Sequence, residues 1–346
     1  MRKLDELLDD YIRDEELTPG ISLALLKDGK CIYKKSHGYA NLENNIEINS
    51  KTAFYLASVS KSFTAAGIML LHEKGELDLS DKVQNYFTDL PDFCTDIKIM
   101  HLVNHTSGLN DYFNICSENG QNLNCITNKD VYNLILEETA LNFPIGDKFE
   151  YSNTGYILLS LLIEKVSGQS YSDFLRENFF EPLGMKNTYV FTEDKPIIPN
   201  RAYGYQQIDD NYFCSDYYVL TTGDGGIYSS IDDLLLWVQA FDNESIFKKD
   251  IVERLFSKEK LNDGTPCIYG FGWFTLEKDD RKVVFHSGRL GGFTNMMIKS
   301  PSDDFSMLIL TNCFRDSWEK LFKTVHELAT ETNAEIDLIN ERQLTS

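Results

Sequence analysis

A serine hydroxyl is inert at neutral pH unless a base lies within hydrogen-bond reach, and the stretch around Ser58 supplies a candidate base one helical turn away. Ser58-Val59-Ser60-Lys61 opens an apolar run that continues through Phe63, Gly67, Met69 and Leu70 to Lys74-Gly75, where Gly75 reads as a left-handed stop. Residues three apart share a helix face, so Lys61 is predicted beside Ser58. An amine in apolar surroundings gives up its proton more readily, and a helix N-terminus offers N–H groups and positive potential to an oxyanion. Such a pair serves nucleophilic catalysis.

The tetrapeptide is weak on its own. It recurs at Ser245/Lys248, Ser257/Lys260 and Ser317/Lys320, each in the polar, charged setting of an ordinary surface. Two further patterns keep Ser58 company. Tyr151-Ser152-Asn153 lies in a turn-rich loop before an apolar run; a tyrosine of lowered pKa can take a proton from serine or pass one to a leaving group, and the asparagine amide can hold a substrate carbonyl and the lysine. Tyr112-Phe113-Asn114 matches that pattern too. His286-Ser287-Gly288 ends a predicted strand; Gly288 permits close approach of a substrate backbone, and the N–H of Arg289 can donate to an oxyanion. His101 and His105 read as packing or capping groups beneath the site, and Asp224 as a turn former.

The elements that must position these groups are legible in outline. The pattern predicts a first helix on the Leu4, Leu7, Leu8, Tyr11, Ile12 stripe, then a hairpin of 20–27 and 30–35 joined at Asp28-Gly29. Helices follow at the Ser58 run, 99–105, 131–136, 156–164 and 171–180, with 110–128 a long surface loop bordering the site. Residues 223–230 read as a flexible loop whose Ser230 caps a helix over 231–241. Strands are predicted at 269–276, 282–286, 292–299 and 305–311, then a closing helix at 318–329. The fold class is α+β: an antiparallel sheet built from both chain ends, flanked by helices, with a mainly helical inserted lobe. The expected division is 1–60 plus 215–335 for the sheet domain and 61–214 for the helical lobe, the active site lying between.

Bulk properties narrow the partners. With 33 basic against 54 acidic residues the net charge is −21, which disfavours nucleic acid and anionic membranes. No apolar run is long enough to span a bilayer, and the amphipathic, acidic first residues are unlike a secretory signal. Seven scattered cysteines without Cys-x-x-Cys or a His-rich cluster point to reduced thiols in a cytoplasm and to no metal.

The ordered set resembles the serine β-lactamase and penicillin-binding-protein superfamily, whose motifs include Ser-x-x-Lys and a Lys-Thr-Gly strand. It is most similar to the class C β-lactamase-like branch of esterases and D-stereospecific peptidases. The residues that carry the resemblance are the strings His101–Leu109, Tyr151–Tyr156 and Gly225–Ser230, with His286-Ser287-Gly288 and Gly291-Gly292-Phe293. The resemblance spans about residues 15 to 330. It implies that Ser58 is the acylated nucleophile, that Lys61 and Tyr151 share proton transfer, and that Asn153 orients substrate. The N–H groups of Ser58 and Arg289 would form the oxyanion hole, with His286 and Gly288 beside the substrate. His286 stands where many relatives carry lysine, and an imidazole anchors a carboxylate more weakly. Small esters, amides or short D-peptides are therefore the expected substrates, ahead of D-alanyl carboxypeptidase or β-lactamase activity, with Arg289 or Arg281 as a substitute cation. A non-catalytic ligand-binding or sensor module is the alternative of another class. No cofactor is implied.

Overall fold

The computed structural model describes residues 17–209, 211–216, 219–278 and 281–314, so the helices expected near 4–12 and 318–329 lie outside the described residues. The fold is α+β. Its centre is a seven-stranded antiparallel sheet in the order Tyr269–Gly270, Trp273–Lys278, Arg281–Leu290, Phe293–Ser300, Phe305–Thr311, Ile21–Lys27, Lys30–His37. Strands from both chain ends meet where Leu23 faces Ile309, as the sequence predicts. Ile21–Lys27 is buried along almost its whole length, because the helix Ile231–Ala240 packs over it and over Phe305–Thr311. The edge strand Lys30–His37 carries Lys30, Lys34 and Lys35, charges that discourage edge-to-edge pairing.

Two close approaches assemble the functional end of this framework. The helix Lys61–Glu73 lies against the helix Asn153–Ser167 at Gly67, where a Cβ would come within 2.9 Å of Ile163 Cδ1. Strand Arg281–Leu290 presses Gly288 onto the turn before that first helix: a Cβ there would stand 2.1 Å from Leu56 O and 3.1 Å from Ser58 N. Glycine at both positions lets three segments distant in sequence converge.

Two stretches differ from expectation. Residues 110–128 are not simply a loop: Asp111 accepts a hydrogen bond from Phe113 N at 2.8 Å and caps the helix Tyr112–Glu118, whose Tyr112, Ile115 and Cys116 form a buried stripe at helical spacing. Residues 223–230 are buried throughout. Within them Ile227–Ser229 is the middle strand of a small sheet with Phe54–Tyr55 and Tyr189–Val190. Ser230 caps the next helix, accepting from Asp233 N.

Candidate active site

Phe54–Tyr55 leads into a 3-10 turn, Ala57–Ser60, from which the helix Lys61–Glu73 continues. Ala57 sits at φ 49°, a left-handed conformation costly for a residue with a Cβ, and the strain falls directly before Ser58. Ser58 is half-buried among buried neighbours. Lys61 is fully buried, and its Nζ donates to Ser58 Oγ at 3.2 Å, Asn153 Oδ1 at 2.7 Å and the Asp224 carbonyl at 2.8 Å. Burial lowers its pKa from 10.5 to about 8, with Asp224 and Asp111 pulling the other way. The ammonium also lies 4.8 Å from the Tyr151 ring centroid.

Asn153 opens the helix Asn153–Ser167, and both its backbone N and its Nδ2 donate to Asp111 Oδ2, at 2.6 and 2.9 Å. Tyr151, two residues earlier, is stacked among rings, with His105 at 4.3 Å between centroids. Its buried hydroxyl makes no well-formed hydrogen bond among the described residues. Burial holds the phenol well above its usual pKa, and the nearby Ser58 hydroxyl offsets part of that rise. The expectation of a lowered tyrosine pKa is therefore reversed, because burial dominates and the nearby Tyr156, Asp224 and Asp111 add to it. His105 packs beneath as expected, accepting from Ser152 N at 3.1 Å, and His101 caps the helix Ile99–Val103 through Lys98 N at 3.0 Å.

From the strand side, a cleft of about 200 Å³ is lined by Ser58, Tyr112, Phe113, Tyr151, Asn153, Asp224 and Arg289 among others. Gly288 lies against Ser58 N, as described. His286 does not line this cleft. Its imidazole is 1% exposed, Nε2 2.9 Å from the Tyr269 hydroxyl and Nδ1 2.6 Å from its neighbour's carbonyl. Burial drops its pKa to about 3, so it offers a substrate no positive charge. Of the two candidate cations, Arg289 lines the cleft with its guanidinium over the Phe314 ring, whereas Arg281 sits 4.0 Å from Asp303 at the other end of the strand.

Two residues have roles that the sequence reading did not assign. Asp224 is no simple turn former: it is 6% exposed, its carbonyl holds Lys61, and its Oδ2 accepts from the Tyr112 hydroxyl at 3.1 Å. Burial raises its pKa, against the pull of Lys61. Asp111 anchors Asn153. Its signal was present, an acidic cap ahead of an aromatic-apolar stripe, but nothing local linked it to a segment so far along the chain.

Comparison with known proteins agrees with this architecture. A family profile described as Beta-lactamase matches residues 4–330. Penicillin-binding protein 4* of Bacillus subtilis (strain 168) is 35% identical over 91% of this chain and 73% of its own length. D-aminopeptidase of Gluconobacter oxydans (strain 621H) is 27% identical over 85% of this chain, which spans 56% of that relative. Among solved structures, D-amino acid amidase from Ochrobactrum anthropi SV3 in complex with L-phenylalanine amide superposes with a TM-score of 0.79 at 25% identity, covering 95% of this chain and 98% of its own.

Proposed function

The chain belongs to the Beta-lactamase family, and from that premise we propose that it is a serine hydrolase whose acyl-enzyme forms on Ser58, with Lys61 as the base for acylation. One observation carries the reading: buried Lys61 meets three partners, of which two can only accept. A neutral amine has two N–H groups and one lone pair. With Asn153 Oδ1 and the Asp224 carbonyl taking the two N–H groups, the lone pair faces Ser58 Oγ. A pKa of about 8 leaves about a tenth of the lysine neutral at pH 7.

Ser58 Oγ then attacks the substrate carbonyl as its proton passes to Lys61. The Ser58 and Arg289 N–H groups stabilise the oxyanion, in the place where Gly288 lets strand and turn touch. Tyr151, kept as a phenol, donates its proton to the departing amine or alkoxide and is reprotonated from the Lys61 ammonium. The acyl-enzyme forms, the leaving group departs protonated, and Lys61 returns to its neutral state. Water then hydrolyses the ester by the reverse route. The small cleft and the neutral His286 favour small esters, amides and short D-peptides. The D-aminopeptidase and D-amino acid amidase relatives favour the same substrates. We read residues 1–60 with 215–335 as the sheet domain, 61–214 as the helical lobe and the cytoplasm as the compartment; among the described residues no helix is long and apolar enough to cross a membrane.

A D-alanyl carboxypeptidase is the second reading, favoured by Arg289 as a cation for a terminal carboxylate. Intact-mass measurement after fluorophosphonate treatment tests the nucleophile: one adduct is expected, absent in Ser58→Ala, and a well-folded wild type without adduct refutes the reading. Turnover of p-nitrophenyl esters and D-amino-acid amides above nitrocefin favours the first reading; labelling by a fluorescent penicillin with cleavage of D-alanyl-D-alanine peptides favours the second.

A further inference from the structure

We infer that Asp111 is a positioning residue for the proton transfer, fixing which end of the Asn153 amide faces Lys61. This rests on the Ser58 reading and goes one step behind it. The two ends of an amide are nearly the same shape, so packing alone does not select the oxygen for Lys61; hydrogen-bond polarity does. A carboxylate accepts and never donates. Asp111 is 9% exposed, and both its oxygens are committed to donors: Oδ1 to Phe113 N at 2.8 Å, Oδ2 to Asn153 N at 2.6 Å and Asn153 Nδ2 at 2.9 Å. With Nδ2 held there, Oδ1 is the end presented to Lys61, at 2.7 Å.

The opposite orientation would set an amide oxygen against a carboxylate and an NH₂ group against the lysine. Neutral Lys61 would then turn its lone pair to that NH₂, and Ser58 would lose its base. The chain of polarity runs from an acceptor-only carboxylate, through the amide, to the direction of a lone pair. Asp111 thus serves the reaction without touching substrate. The same charge also raises the Lys61 pKa, an effect of opposite sign on rate at neutral pH.

Asp111→Asn separates the two effects. Its side-chain oxygen keeps the cap on Phe113 N, so the helix is retained, while its NH₂ confronts the donors of Asn153. The saturating acylation rate with p-nitrophenyl acetate, followed against pH, is expected to fall roughly a hundredfold on its alkaline plateau, the cost typical of a misplaced catalytic group. Its midpoint is expected to move below the wild-type value of about 8, with the half-saturating concentration little changed. A lower midpoint with an undiminished plateau, giving a faster enzyme at neutral pH, would leave Asp111 only its charge and overturn the proposal. If thermal melting shows that Asp111→Asn is unfolded, Asp111→Ser replaces it. That variant keeps a capping hydroxyl and leaves the amide unguided, so a tenfold loss or more supports the role, and a plateau within about twofold of wild type overturns it. A wild type that takes no acyl group removes the reaction and this role together, whereas a labelled wild type beside an unaffected variant removes the role alone.

Discussion

Tyr112-Phe113-Asn114 and Tyr151-Ser152-Asn153 share a sequence pattern, each lies at or just before the start of a helix, and both tyrosines line the Ser58 cleft. Their chemistry diverges at the hydroxyl. That of Tyr112 is spent on Asp224 Oδ2 at 3.1 Å, with Thr221 Oγ1 a further 3.3 Å contact. That of Tyr151 is buried beside the Ser58 hydroxyl, which offsets part of its pKa rise, and makes no well-formed hydrogen bond among the described residues. The asparagines differ as much: Asn114 is exposed, while Asn153 holds Lys61. A committed hydroxyl stiffens the wall of a site, and an uncommitted one of the same residue type is free for proton traffic.

Exchanging the two phenols for phenyl rings gives the largest test of that contrast. Tyr151→Phe should slow acylation by roughly 10²–10⁴, the usual worth of a positioned acid or base. Tyr112→Phe should slow it severalfold at most, since its hydroxyl is absent from the proposed proton path. Pre-steady-state release of p-nitrophenol measures both, and equal losses in the two variants would break the comparison.

Much of this was legible because it is local. Asp28-Gly29 announces its hairpin, Gly75 ends its helix at φ 71°, and Ser58 with Lys61 needs only one turn of helix to meet. What stayed hidden depends on contacts across the fold. No periodicity tells Tyr151 from Tyr112, because the distinction lies in whether Asp224, far along the chain, reaches the hydroxyl. His286 occupies the predicted strand yet turns into the core toward Tyr269, and that choice of face loses it the anchoring role the sequence suggests.

The pH dependence of acylation probes the Tyr112 side of the cleft through Asp224. Only neutral Lys61 takes the serine proton, so the rate should rise with pH, nearly tenfold per unit below the midpoint of about 8, and level off above it. The negative charge of Asp224 raises the Lys61 pKa. Removing it in Asp224→Asn should therefore move the midpoint to lower pH. A stopped-flow pH series checks both, and a midpoint that moves upward would contradict the assigned sign.

The smallest effect is in stability rather than rate. Asp224 is buried, its Oδ1 has no hydrogen-bond partner among the described residues, and the Tyr112 hydroxyl joins Lys61 and Thr221 in compensating its ionised form. Tyr112→Phe deletes that donor and should cost about 1–3 kcal/mol in urea unfolding at neutral pH, the penalty of an under-satisfied buried acceptor. The pH dependence follows from linkage. Burial raises the folded-state pKa of Asp224, and loss of the hydroxyl raises it further. The variant's deficit is therefore largest where the carboxylate is ionised in both proteins, and it shrinks as pH falls and both take up the proton. Asn114→Ala, on the exposed arm of the same tripeptide, should change stability by no more than about 0.5 kcal/mol at any pH. A Tyr112→Phe deficit that stays constant with pH would mean that its hydroxyl packs against Asp224 without supporting the charge, which would narrow the contrast with Tyr151 to proximity to Ser58 alone.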